Sequence, residues 1–212
     1  MRKLTAAILC LCLLCLTAYA ALYGEEAQAL NQLGLFRGTE QGFELDKAFT
    51  RAEGAVMLVR LLGKEQEALS AVEESGFSDV PDWAEPYVGY CFENGITKGT
   101  GPDTFSPEAE MTGAEYLTLI LRALGHQNAN PDNAYIAAAE NGLMSSAELK
   151  TIQRRNVFTR DYMVRVSYCA LEARDTEGVT VLERLIADGV VTRQQAEDAG
   201  FRLDGKSLED FM

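Results

Sequence analysis

The sequence predicts an all-α fold, with three pseudo-repeats around a central three-helix bundle and short peripheral helices joined by glycine-containing loops. Three observations predict it. Three segments open on a threonine and run into a helix-length apolar stretch. A shorter amphipathic segment ending in glycine precedes each of them. Nothing along the chain alternates in the manner of a long half-buried strand.

The long helices start at Thr50-Arg51-Ala52-Glu53, Thr112-Gly113-Ala114-Glu115 and Thr159-Arg160-Asp161-Tyr162. A threonine N-cap with glutamate three residues on is a capping box, in which hydroxyl and carboxylate each satisfy an orphan N–H. The first two helices have it. The third has Tyr162 at that place and keeps only Asp161 in its first turn, which still suits the helix dipole. All three are apolar around most of their circumference, as in helices buried on several sides.

The short helices are predicted over Ala27–Leu33, Trp83–Glu93 and Ala134–Glu140, with a fourth over Leu182–Asp188 and one more over Val191–Phe201. Gly34, Gly95, Gly142 and Gly189 follow the first four as left-handed C-caps. Polar glycine loops come next, at 36–43 and 97–107, and the third copy, Met144 to Val157, is predicted as a loop without those glycines. The threonine spacings are 62 and 47 residues. One unit has too little apolar surface to fold alone, so the copies must pack on each other.

At 212 residues, 47% apolar and 24% charged, the chain is an ordinary globular protein rather than a disordered or collagenous one. Its net charge of −13 argues against nonspecific nucleic-acid binding and against an anionic membrane surface. A single histidine, His126, argues against multi-imidazole zinc sites and most histidine-based triads.

Residues 1–20 have the form of a secretory signal peptide: basic Arg2-Lys3, apolar Leu4 to Leu16, then small residues at Ala18 and Ala20. Their removal leaves a chain of charge −15 with no membrane span and two cysteines, Cys91 and Cys169. Two cysteines in apolar helical patterns are small buried thiols before they are a disulfide framework.

Residues Phe77-Ser78-Asp79-Val80-Pro81-Asp82-Trp83-Ala84, Glu93-Asn94-Gly95-Ile96, Phe105-Ser106-Pro107 and Thr112-Gly113-Ala114-Glu115 resemble, in that order, an S-layer homology repeat. The run from Leu33 to Glu53 resembles the later half of another, and 126–175 a degenerate third. The resulting division is signal peptide 1–20, truncated first repeat 21–63, second repeat 77–125, third repeat 126–175 and a C-terminal helical extension 176–212 on the same domain. The resemblance implies an exported bacterial module that anchors non-covalently to secondary cell-wall polysaccharide, often pyruvylated, through grooves between repeats and through the arginine of the Thr-Arg-Ala-Glu motif. Gly113 replaces that arginine in the second motif, and the third lacks Ala-Glu after Arg160, so at most two grooves are expected to be competent.

The candidate ligand-binding residues are Arg37, Gly38, Thr39, Arg51, Trp83, Lys98, Gly99, Thr100, Gly101, Asp103 and Arg160. Arginine matches a carboxylate with two parallel hydrogen bonds. Arg51 and Arg160 open long helices, where free backbone N–H groups favour an anion. Arg37 and Lys98 hold equivalent places in the two glycine loops, where Gly38, Gly99 and Gly101 would admit close backbone approach. Trp83, the single tryptophan, either stacks on a sugar or packs between repeats. Each has a structural reading as well: Arg51 pairing with an acidic neighbour, the glycines serving turn geometry, and Asp79 and Asp103 capping turns. On so acidic a chain, an anionic ligand requires basic residues concentrated in grooves.

Two other function classes compete. A glycan hydrolase would use two carboxylates, but the acidic residues are accounted for as caps and solvated faces. No Gly-x-Ser-x-Gly elbow, His-Glu-x-x-His or phosphate loop is present, and no cofactor or metal is implied. A helical scaffold binding another surface protein is the stronger alternative.

Overall fold

The computed structural model describes residues 21–71 and 75–203, so the signal-peptide reading of 1–20 lies outside the described residues. They form ten α-helices and no strand: α1 (Gly24–Gln32), α2 (Arg51–Leu61), α3 (Glu65–Ser70), α4 (Glu85–Glu93), α5 (Gly113–Ala123), α6 (Ala134–Glu140), α7 (Ser146–Gln153), α8 (Arg160–Glu172), α9 (Val181–Ala187) and α10 (Arg193–Asp198). None is long and apolar enough to cross a membrane.

The long helices α2, α5 and α8 touch one another pairwise and form the central bundle. Each short helix packs on the long helix of the unit before it: α4 on α2, α6 on α5, and α1 on α8. That last contact closes a pseudo-threefold ring. The residues just before the N-cap threonines, Phe49, Met111 and Phe158, are buried where the helix starts converge. Phe49 lies 5.8 Å from Tyr116 and 5.6 Å from Phe158, ring to ring. Met111 packs on Gly54, where a Cβ would stand 2.5 Å from its sulfur. A helix-interior glycine costs about 1 kcal/mol against alanine, and this close approach explains its presence.

Local chemistry starts and stops the helices as the sequence predicts. Thr50 with Glu53, and Thr112 with Glu115, make reciprocal capping boxes. Thr180 with Glu183 and Thr192 with Gln195 repeat the device on α9 and α10. Thr159 makes no side-chain cap bond and its hydroxyl is buried without a partner, and Tyr162 offers no carboxylate for the reciprocal bond to the Thr159 N–H. The C-cap glycines Gly34, Gly95, Gly142 and Gly189 are all left-handed, with φ between 68° and 75°. After α1, for example, Leu35 N donates to Leu30 O and Gly34 N to Asn31 O, the paired bonds of a Schellman turn.

Two elements depart from the prediction. The stretch 144–157, expected as a loop, contains α7. Ser145 accepts from Glu148 N, and Leu149 and Ile152, three residues apart, are buried on one face. The linker after the first unit contains α3, whose only buried residue is Ala68. Cys91 and Cys169 are free thiols, the first fully buried and the second partly so. Burial pushes Cys91 up to about 12 and Cys169 to about 11.

Candidate ligand grooves between the repeats

Where two units meet, the start of one long helix is held by the loop of the next. On α2, Arg51 N donates to Ala109 O and Ala52 N to Pro107 O, both from the second unit. On α8, Arg160 N donates to Lys47 O and Asp161 N to Leu45 O, both from the first. Acceptors lie five and three residues before the N-cap threonine in each case. The expectation of free N–H groups beside Arg51 and Arg160 is therefore not met: carbonyls from a neighbouring unit occupy them, and an anion gains nothing there.

The arginine side chains follow the same symmetry. Arg51 Nε donates to Phe105 O at 2.9 Å, and Nη1 pairs with Glu115 at 2.7 Å. Arg160 Nε donates to Phe43 O at 3.1 Å, and Nη1 stands 3.7 Å from Glu53. Phe105 and Phe43 occupy the same place, seven residues before the N-cap, and Glu115 and Glu53 are the capping-box glutamates. The third junction has lost every member of this set: Gly113 replaces the arginine, Ile152 the phenylalanine and Tyr162 the glutamate. A Cβ on Gly113 would lie 2.6 Å from the Tyr135 hydroxyl and 3.3 Å from Ile152. Tyr135 from α6 thus fills the space through which an arginine would pass.

The two surviving junctions differ in what surrounds the arginine, although both side chains are largely sheltered, Arg160 with 12% exposed. Arg51 is only 6% exposed, with its guanidinium 4.9 Å from the Phe105 ring centroid. Arg160 lies 5.4 Å from the Phe36 ring and lines an open groove of about 140 Å³. Arg37, Glu53, Val56, Arg60 and Trp83 share that groove, with Met163 and Met57 beneath. Trp83 is 53% exposed there. Three residues selected from the sequence, Arg37, Trp83 and Arg160, come together from three different units, whereas Arg51 is enclosed at the other junction.

The remaining selected residues build turns. Thr39 N donates to Gly42 O at 2.8 Å, and a Cβ on Gly38 would meet that same oxygen at 2.8 Å. The Thr39 hydroxyl donates to Glu44. In the second loop Thr100 N donates to Thr104 O and its hydroxyl lies 2.7 Å from that of Ser106. Gly99 has φ +71°, and a Cβ would lie 2.5 Å from both the Phe77 ring and Thr104 O. Gly101 faces the Thr104 hydroxyl in the same way. Lys98 and Asp103 are exposed, and Asp103 O accepts from Ser78 N. Asp79 caps this loop, accepting from Phe105 N and Ser106 N at 2.8 Å each. Those backbone bonds, led by Phe105, hold its carboxyl below the ordinary value.

Sequence reasoning missed Glu65 on α3. Its carboxylate accepts from Arg37 (3.3 and 2.6 Å), from Arg60 Nε (2.8 Å) and from the Tyr87 hydroxyl (3.1 Å). Burial raises its pKa, but the bonds and charge of Arg60, then Tyr87 and Arg37, prevail and hold it below 4.5. No motif announces this residue, since its partners come from elsewhere in the fold.

A larger cleft, about 820 Å³, opens at the C-terminal ends of α2 and α5 against the extension. None of the selected residues lines it. Lys64 pairs with Asp188 there, Arg174 with Glu183, and Arg184 with Asp175 and Glu177.

Residues 76–117, which include the Asp79-capped loop, α4 and the start of α5, match the family model described as S-layer homology domain. A surface layer protein of Brevibacillus choshinensis is 40% identical over 101 residues, 46% of this chain and 9% of its own. A cell surface protein of Thermoanaerobacter kivui is 27% identical over 196 residues, 89% of this chain and 25% of its own. A cellulosome-anchoring protein of Acetivibrio thermocellus is 31% identical over 84 residues, 39% of this chain and 19% of its own. The chain spans a quarter or less of the length of these relatives. Residues 76–117 carry an S-layer homology domain, and the relatives that the chain resembles are surface-layer, cell-surface and anchoring proteins.

Proposed function

We propose that the chain anchors to secondary cell-wall polysaccharide through the groove between α2 and α8, and that the flanking units are a truncated and a degenerate S-layer homology repeat. The observation that carries this reading is the convergence of Arg37, Trp83 and Arg160 on one groove from three units. The half-exposed indole offers a face to a sugar ring. Arg160 has Nε committed to a carbonyl and only a long pair at Nη1, so its outer edge suits a carboxylate such as a pyruvate ketal. With room for about one ring, recognition falls on a single substituted sugar, and the polymer continues across the surface.

The test is sedimentation of residues 21–212 with cell walls of the source organism, before and after chemical removal of the secondary polysaccharide. Binding lost with the polysaccharide and weakened in Trp83→Ala supports the reading. Binding that survives polysaccharide removal, or no binding to intact walls, overturns it and turns the search to a protein partner.

A further inference from the structure

Three arginines stand around the groove; Arg160 has a long pair with Glu53 at 3.7 Å, and the other two share a single, closer anion. Arg37 meets Glu65 with both terminal nitrogens, and Arg60 meets it through Nε. The side chain of Arg37 is 57% exposed and that of Glu65 only 14%. An exposed arginine is thus drawn down onto a sheltered carboxylate at the groove rim. Glu65 cannot swing away freely, because the Tyr87 hydroxyl and Arg60 fix its other edge, and Arg60 itself lies 6.0 Å from the Tyr87 ring. Including Glu53, the charges at the groove sum to one net positive: Arg160 faces Glu53, and Arg37 and Arg60 share Glu65.

We infer that Glu65 is a built-in counter-anion of this groove, a positioning residue that occupies Arg37 and Arg60 and limits the groove to one ligand carboxylate. The ligand class rests on the anchoring reading above; the charge-setting role rests on the Glu65 contacts. A ligand carrying a second negative group near Arg37 must compete with a carboxylate that is covalently present and held from three sides. Removing the Glu65 charge frees two guanidiniums toward the groove, and affinity for anionic sugars rises. Affinity for neutral ones stays the same. α3 supplies this residue, and the corresponding linker between the second and third units, 126–133, has no helix.

Trp83 is the only tryptophan and lies in the groove, so its fluorescence reports occupancy directly. The probe is a pyruvylated methyl glycoside, titrated into residues 21–212 alongside its methyl ester. Glu65→Gln should bind the carboxylate form about fivefold tighter than the parent, in the range of a partly exposed ion pair, and bind the ester equally. The gain should vanish in Glu65→Gln/Arg37→Gln, which separates freed charge from altered packing. A Glu65→Gln protein that melts cooperatively and shows no gain, or gains equally for the ester, overturns the inference. So does the absence of carboxylate binding in every variant, whatever the walls do. Loss of wall sedimentation alongside the selective fivefold gain overturns the anchoring reading alone.

Discussion

The Arg51 guanidinium lies 4.9 Å from the centroid of the Phe105 ring while its Nε donates to the carbonyl of that same residue at 2.9 Å. The pair joins the first unit to the second across 54 positions of sequence. Arg51→Ala removes the ring contact, the carbonyl bond and the pair with Glu115 together, and leaves Phe105 O without its donor. Equilibrium denaturation should show a loss of about 2 to 4 kcal/mol. Arg51→Lys should recover little, because a point charge cannot bond the carbonyl in the plane of the stack.

Trp83→Ala should behave oppositely. The indole is half exposed, so stability should change by less than about 1 kcal/mol, while wall sedimentation falls. The two variants measured side by side separate a residue that holds units together from one that faces a ligand.

Gly99→Ala tests whether the glycine loop is a turn or a contact surface. The residue sits at φ +71°, and a Cβ would strike the Phe77 ring and a backbone carbonyl at 2.5 Å. Thermal melting should reveal a cost of roughly 2 kcal/mol or more. Binding of the still-folded fraction to walls should match the parent.

Glu65 predicts a pH dependence. Its folded pKa is depressed below 4.5, so its contribution to stability is present at neutral pH and is lost as pH falls through the folded value. The stability difference between the parent and Glu65→Gln should be largest at neutral pH and close below pH 4.5. A gap that stays constant on acidification would contradict the pairing with Arg37 and Arg60.

The thiols give a further check. With Cys91 pushed up to about 12 by complete burial and Cys169 to about 11, neither forms appreciable thiolate near pH 8. Residues 21–212 should resist a thiol reagent when folded, Cys169 yielding before Cys91, and consume two equivalents when denatured.

What could be read in advance was local. Thr50 and Glu53, like Thr112 and Glu115, are three residues apart, and their reciprocal bonds form whatever the rest of the chain does. The same holds for Gly34 and Gly95, whose left-handed turns close on the helix just before them. The start of α7 is local in the same sense, since Ser145 and Glu148 repeat the capping pattern. The groove was only partly legible. Arg37, Trp83 and Arg160 could be selected by residue type, but nothing in their spacing separated them from Arg51 or Lys98.

The sequence by itself determined the three long helices and the capped ends of the short ones around them, because those depend on hydrogen bonds and apolar spacing within a few residues. The tertiary structure alone decided that Arg51 is enclosed while Arg160 opens onto a groove, although both occupy the same place in the same motif. It also decided that Glu65, from a linker helix, pairs with two of the groove's three arginines. The reason is physical: burial and charge at a junction depend on which distant units meet there. Phe105 encloses Arg51, and residues as far apart as Arg37 and Arg160 face one space only after the ring of helices closes.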